Sequence, residues 1–75
     1  MNRKEFEERW KRMQGSSKTK TVEVLHKDGT TSFEANGYII DPDPRVKLVY
    51  LYLDGVMIGA IQLTNIGTII GWMWG

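Results

Sequence analysis

From Thr21 onward the hydrophobic pattern of this chain repeats every two residues, and turn dipeptides cut it at Asp28-Gly29, Asn36-Gly37 and Asp54-Gly55. Two-residue alternation is the mark of β-strands, and Asp-Gly or Asn-Gly pairs supply the positive φ angles that tight hairpin turns require. The pattern predicts an antiparallel β-meander of five or six strands: Thr21 to Lys27, Thr30 to Ala35, Tyr38 to Asp41, Val46 to Leu53, Val56 to Thr64 and Thr68 to Trp74. Pro42 and Pro44 cut the third strand short and force residues 41–44 into an irregular loop, because proline donates no ladder hydrogen bond and restricts the residue before it.

The segment before Thr21 has a different period. Asn2 with Glu5 three positions on resembles a capping box, and Glu5/Arg9, Glu7/Lys11 and Glu8/Arg12 are i,i+4 pairs in the favourable Glu-first order. Phe6, Trp10 and Met13 fall at i, i+4 and i+7, which predicts a helix over Asn2 to Gln14 with one narrow apolar stripe. A helix of about 13 residues is marginal alone in water, so this stripe must dock on something. Gly15 suits a C-terminal stop, and residues 15–20 read as a polar linker. The fold class is therefore α+β: an amphipathic N-terminal helix, then a meander that curls or partly closes into a barrel. All 75 residues form one domain.

Two-residue loops fix the expected registers. Around Asp54-Gly55, Tyr52 meets Met57, Tyr50 meets Gly59 and Leu48 meets Ile61 on one face, while Leu53 meets Val56, Leu51 meets Ile58 and Val49 meets Ala60 on the other. A three-residue turn Asn65-Ile66-Gly67 then sets Ile70, Trp72 and Trp74 on the Val49/Leu51 face. Both faces are apolar, and Gly55 to Gly75 carries no charge at all. One helix with three anchors covers only one face; the other must close on itself or meet another subunit. Tyr50, Tyr52, Trp72, Met73 and Trp74 are the candidate interface residues, since aromatics and Met concentrate at such contacts. Around Asp28-Gly29 the same rule sets Glu23 opposite Glu34, a like-charge pair that the sheet disfavours.

The charge is divided. Residues 1–20 hold seven Lys/Arg against three Glu, net +4, and residues 21–75 hold three against six acidic residues, net −3. Arg9, Arg12, Lys18, Lys20, Arg45 and Lys47 are candidate anion-binding residues, and the basic arm with Trp10 is the one cluster suited to a phosphate backbone and a stacked base. Cysteine is absent and His26 is the lone histidine, so thiolate and His-rich metal sites are excluded. Asp41-Pro-Asp43 has the spacing of two carboxylates on one cation but lacks the glycine and closing Glu of a calcium loop. No nucleophile turn or phosphate loop occurs, so the residues point away from an enzyme, and no cofactor is implied. No charged n-region with an apolar core opens the chain, which makes a cytoplasmic site the default. A membrane span over Gly55 to Gly75 would put Gln62, Thr64 and Asn65 in mid-bilayer, and no membrane association is expected.

These features lead to a small non-enzymatic binding protein that self-associates through its C-terminal hairpin and acts by occupancy, sequestering or blocking a protein partner. Chains of this size are often accessory or inhibitor proteins of mobile elements, an expectation from size alone. Two other readings remain: a nucleic-acid-binding module using the basic arm, and an oligomer that binds a small anion such as a nucleotide.

Overall fold

The computed structural model describes residues 1–12 and 19–71. The chain is α+β, with one helix, α1 (Arg3–Arg12), and six antiparallel strands: β1 (Lys20–His26), β2 (Gly29–Ala35), β3 (Gly37–Ile40), β4 (Leu48–Leu53), β5 (Val56–Gln62) and β6 (Ile66–Gly71). The strands form two three-stranded sheets, ordered β2-β1-β6 and β3-β4-β5, and neither is closed. A 3-10 turn at Leu63–Asn65 carries the chain from the second sheet back to the first. The expected hairpin of the last two strands is thereby corrected: β6 pairs with β1, Val22 facing Ile69, and not with β5.

Each turn dipeptide has its own outcome. Asp54 and Gly55 both take positive φ, 52° and 82°, and close β4 onto β5 as the mirror-image turn whose twist suits adjacent strands. Asn36-Gly37 makes no hairpin. Asn36 is the single residue between β2 and β3, where the chain crosses from one sheet to the other. Its amide is spent on the Asp54 turn: Nδ2 donates to Asp54 Oδ1 at 2.9 Å, and the Asp54 N–H donates to Asn36 Oδ1 at 3.0 Å. In the first hairpin Lys27 and Asp28 form the turn and Gly29 pairs with His26, two residues away from the expected register. That shift sets Ser32 opposite Glu23 and Thr21 opposite Glu34, which removes the like-charge confrontation.

Two irregularities decide which side chains face inward. Between Leu51 and Tyr52 the β4–β5 ladder slips by one residue, with Ile58 as the extra member, so that Leu51 meets Gly59, Tyr50 meets Ala60 and Val49 meets Ile61. A one-residue slip flips every later side chain to the opposite face. Ile61 accordingly joins Val49 in the core at 7 % exposure and leaves the Leu48 face. Gly59 turns inward as well, and the ring that lies over it is Phe33, 3.6 Å from where a β-carbon would stand, rather than Tyr50. A second slip, between Glu23 and Val24, lets Ile66 meet Val24.

One core joins the layers. Val22, Val24, Ala35, Ile66 and Ile69 come from the first sheet, Val49, Leu51 and Ile61 from the second, Leu63 from the 3-10 turn, and Phe6 and Trp10 from α1. The helix begins as its sequence dictates: Asn2 Oδ1 accepts the Glu5 N–H at 2.8 Å, satisfying one of the orphan donors of the first turn. Of the three Glu-first pairs only Glu5–Arg9 closes among the described residues, at 3.5 Å. Phe6 and Trp10 pack against Tyr38, whose ring meets them edge-on at 4.8 and 4.9 Å. Arg3, on the first turn, reaches the 41–46 loop. Its Nη2 donates toward the carbonyl oxygens of Asp41, Asp43 and Val46 at 2.6, 2.7 and 3.1 Å.

Candidate functional site

The residues opposite the core on the second sheet form its most apolar exposed surface. Because Val49 and Leu51 point inward, alternation turns Leu48, Tyr50 and Tyr52 outward. Cross-strand pairing then builds the face in rows: Ile39, Tyr50 and Ala60; Gly37, Tyr52 and Met57; Leu48 and Gln62. Ile39 is 52 % exposed and Met57 55 %, and the bulged Ile58 is also exposed. No lysine, arginine, aspartate or glutamate stands in these rows.

One hydrogen bond orders the face from its rim. The Tyr50 hydroxyl donates to Asp41 Oδ2 at 2.5 Å, and the same carboxylate accepts the Asp43 N–H at 3.0 Å. The Tyr50 bond, followed by the backbone bond, holds the Asp41 carboxyl below the usual carboxylate range, and the carboxylate in turn raises the Tyr50 phenol. A depressed carboxyl stabilises the fold above its unfolded pKa of about 4 and loses that contribution as pH falls through the folded value. Tyr50→Phe is therefore expected to lower stability at neutral pH and to flatten the fall in stability below about pH 4. Urea unfolding across that range measures both, and an unchanged acid slope would contradict the linkage.

Comparison with protein-family models, curated proteins and solved structures finds no match for this chain.

The other sequence-selected residues are dispersed. Tyr50 and Tyr52 share the outer face, whereas Trp72, Met73, Trp74, Met13 and Lys18 lie outside the described residues. Phe6 and Trp10 are buried. Of the candidate anion ligands, Arg45 and Lys47 line one cleft, whereas Arg9, Arg12 and Lys20 are not among its lining residues. Lys20, expected in the linker, is the first residue of β1 and only 4 % exposed, with Nζ 4.8 Å from the centroid of the Trp10 ring. Burial draws its ammonium below the ordinary lysine value, and the ring face supplies a cation–π contact. Trp10, at 5 % exposure, is closed to base stacking. Arg9 is held by Glu5, and Arg45 is folded back on Asp43 at 3.1 Å.

Asp41 and Asp43 do not converge on an empty point. Asp41 serves Tyr50 and the Asp43 amide, while Asp43 accepts the Arg45 backbone N–H at 2.9 Å together with its guanidinium. No cluster of three or more potential metal ligands occurs among the described residues. His26 Nε2 lies 2.8 Å from Thr31 Oγ1 on the exposed end of the first hairpin. No helix among the described residues is long and apolar enough to cross a membrane.

Sequence reasoning missed two things here. Ile39 belongs to the outer face, opposite Tyr50, which only the β3–β4 register reveals. Lys4 reads in the sequence as one cation of the basic arm, with nothing to join it to Lys47, yet with Lys47, Pro44, Leu63 and Thr64 it lines a cleft of about 520 Å³ between α1, the loop before β4 and the 3-10 turn.

Proposed function

We propose that the protein is a small binding protein that pairs with a second copy of itself through the outer face of β3-β4-β5, and acts by occupancy of a protein partner. The observation that carries this reading is the uncharged surface formed by Ile39, Tyr50, Tyr52, Met57 and Ala60, with the exposed Ile58 at the bulge beside it. In a two-fold dimer each patch meets its own copy, so a charge near the axis would confront its like and one off the axis would need an opposite charge placed to meet it; a face without charges carries neither cost. The pairing belongs to this face rather than to a C-terminal hairpin, because β5 and β6 part into different sheets. β5 also forms an open edge of its sheet with no charge and no proline along Val56–Gln62, so the devices that usually blunt an edge are missing except for the bulge. Further curling of the two sheets toward a barrel would leave this outer face on the outside.

The size of the patch sets the strength. Three strands about 4.8 Å apart, of four, six and seven residues, make a face of at most roughly 10 by 20 Å. A standard interface buries about 800 Å² per partner. The expected dimer is accordingly weak and reversible, dissociating on dilution. Light scattering over a dilution series should show the mass falling toward that of the monomer. Met57→Asp should hold the protein monomeric with its circular dichroism unchanged, since Met57 is an exposed residue on the uncharged face. A monomer at every concentration, or a Met57→Asp protein that still dimerises, would sink the reading.

A further inference from the structure

We propose that the clefts flanking Lys47 bind a small phosphate-bearing molecule. Two concavities meet there and share Lys47 and Thr64. The first, about 520 Å³, is lined by Asn2, Arg3, Lys4, Pro44 and Leu63 among others; the second, about 370 Å³, by Arg45, Val46, Leu48 and Gln62. Volumes of this order suit metabolite-sized ligands. Every lysine, arginine, aspartate or glutamate side chain that lines either cleft is cationic: Arg3, Lys4, Arg45 and Lys47. That uniformity is local, because basic and acidic residues nearly balance over the whole chain, ten to nine.

Two of the four cations are already occupied. Arg3 is spent on the loop carbonyls and Arg45 on Asp43. Lys4 and Lys47 form no ion pair among the described residues, and both are exposed. They stand on different elements that are tied together before any ligand arrives. Arg3 fixes α1 to the 41–46 loop, and the Leu63 N–H donates to the Lys47 carbonyl at 2.8 Å, fixing the 3-10 turn to the same loop. Two lysines lining one cleft from elements already tied together, over apolar walls from Pro44 and Leu63 and with Thr64 and Gln62 as further polar residues, suit phosphate oxygens carried on a compact organic body. Two free cations would neutralise only about two phosphates, against the roughly 6–10 contacts of a strongly salt-dependent nucleic-acid binder.

The test titrates inorganic pyrophosphate, and separately ATP, into the isotope-labelled full chain while amide resonances are followed by NMR. Saturable shifts confined to residues around Lys4, Lys47 and Thr64 are expected. Lys47→Glu reverses the charge common to both clefts and should weaken binding by at least about tenfold, whereas Lys11→Glu, on the exposed side of α1, should leave it unchanged. Amide spectra of the unliganded variants establish that both are folded. Absence of shifts at millimolar ligand would overturn the proposal. Equal weakening by both variants would also overturn it, by showing diffuse attraction to cations, and so would binding of a short oligonucleotide without binding of pyrophosphate or ATP.

Discussion

Phe6→Ala should leave the chain largely unfolded at 25 °C. Phe6 is fully buried, stacked on Trp10 at 5.9 Å and edge-on to Tyr38 at 4.8 Å, and it is one of the largest side chains in a core of few members. Truncating a buried phenylalanine typically costs about 3–5 kcal/mol, from lost transfer energy and the cavity left behind. A single core in a domain of this size rarely supplies more than about 3–5 kcal/mol of net stability. The loss thus matches the whole margin. Phe6→Leu, which refills much of the volume, should cost about 1.5 kcal/mol or less and remain folded. Urea unfolding followed by circular dichroism separates the two, and a stable, cooperative Phe6→Ala protein would show that α1 is an appendage rather than part of the core.

The sequence made local features legible and left non-local ones hidden. Phe6 and Trp10 at i, i+4 announce a docking stripe, and Asp54-Gly55 announces its turn, because each depends only on neighbours in the chain. Asn36-Gly37 carries the same turn chemistry, but the Asn36 side chain is committed to Asp54, eighteen residues away, and the chain runs on into the other sheet. The partner of β6 was equally hidden. Ile66–Gly71 is apolar enough to lie beside either β1 or β5, and the choice goes with the 3-10 turn at Leu63–Asn65, which stands in place of the hairpin turn that Asn65-Ile66-Gly67 predicts. At the candidate interface, alternation correctly groups Tyr50 with Tyr52, while the bulge at Ile58 reverses the faces of Gly59 and Ile61. A bulge has no fixed sequence signal here. It turns Ile61 to the core side, where Ile61 and Leu63 are both buried, and that fit is a property of the packed whole.

The outer face and the basic cleft both lean on the loop between β3 and β4, and that loop depends on one cation from the helix. Arg3→Ala should therefore have the second-largest effect on the molecule. Removing the guanidinium takes the shared donor from three carbonyl groups, those of Asp41, Asp43 and Val46, which cluster in a part-buried space. A hydrogen bond to a charged group contributes about 1.5–3 kcal/mol, but these three acceptors share one nitrogen with two hydrogens and water can enter part of the space, so a loss of roughly 2–3 kcal/mol is expected. Part of the cost falls outside global stability. With the clamp gone, the loop holding Asp41 loosens, and the bond orienting Tyr50 goes with it. Arg3→Ala should then weaken self-association as well, although Arg3 is not in the face. Arg3→Lys tests the mechanism directly: an ammonium keeps the charge and offers three donors, but its stem ends one bond short of Nη2, so partial recovery is expected. Full recovery would mean that charge alone fixes the loop, and no recovery that the reach of the guanidinium decides it. Hydrogen exchange at the Val46 and Asp43 amides reads the loop separately from unfolding of the core. Faster exchange there in Arg3→Ala, with core amides protected, is the expected signature; loss of protection everywhere at once would make Arg3 a general stabiliser with no particular hold on this loop.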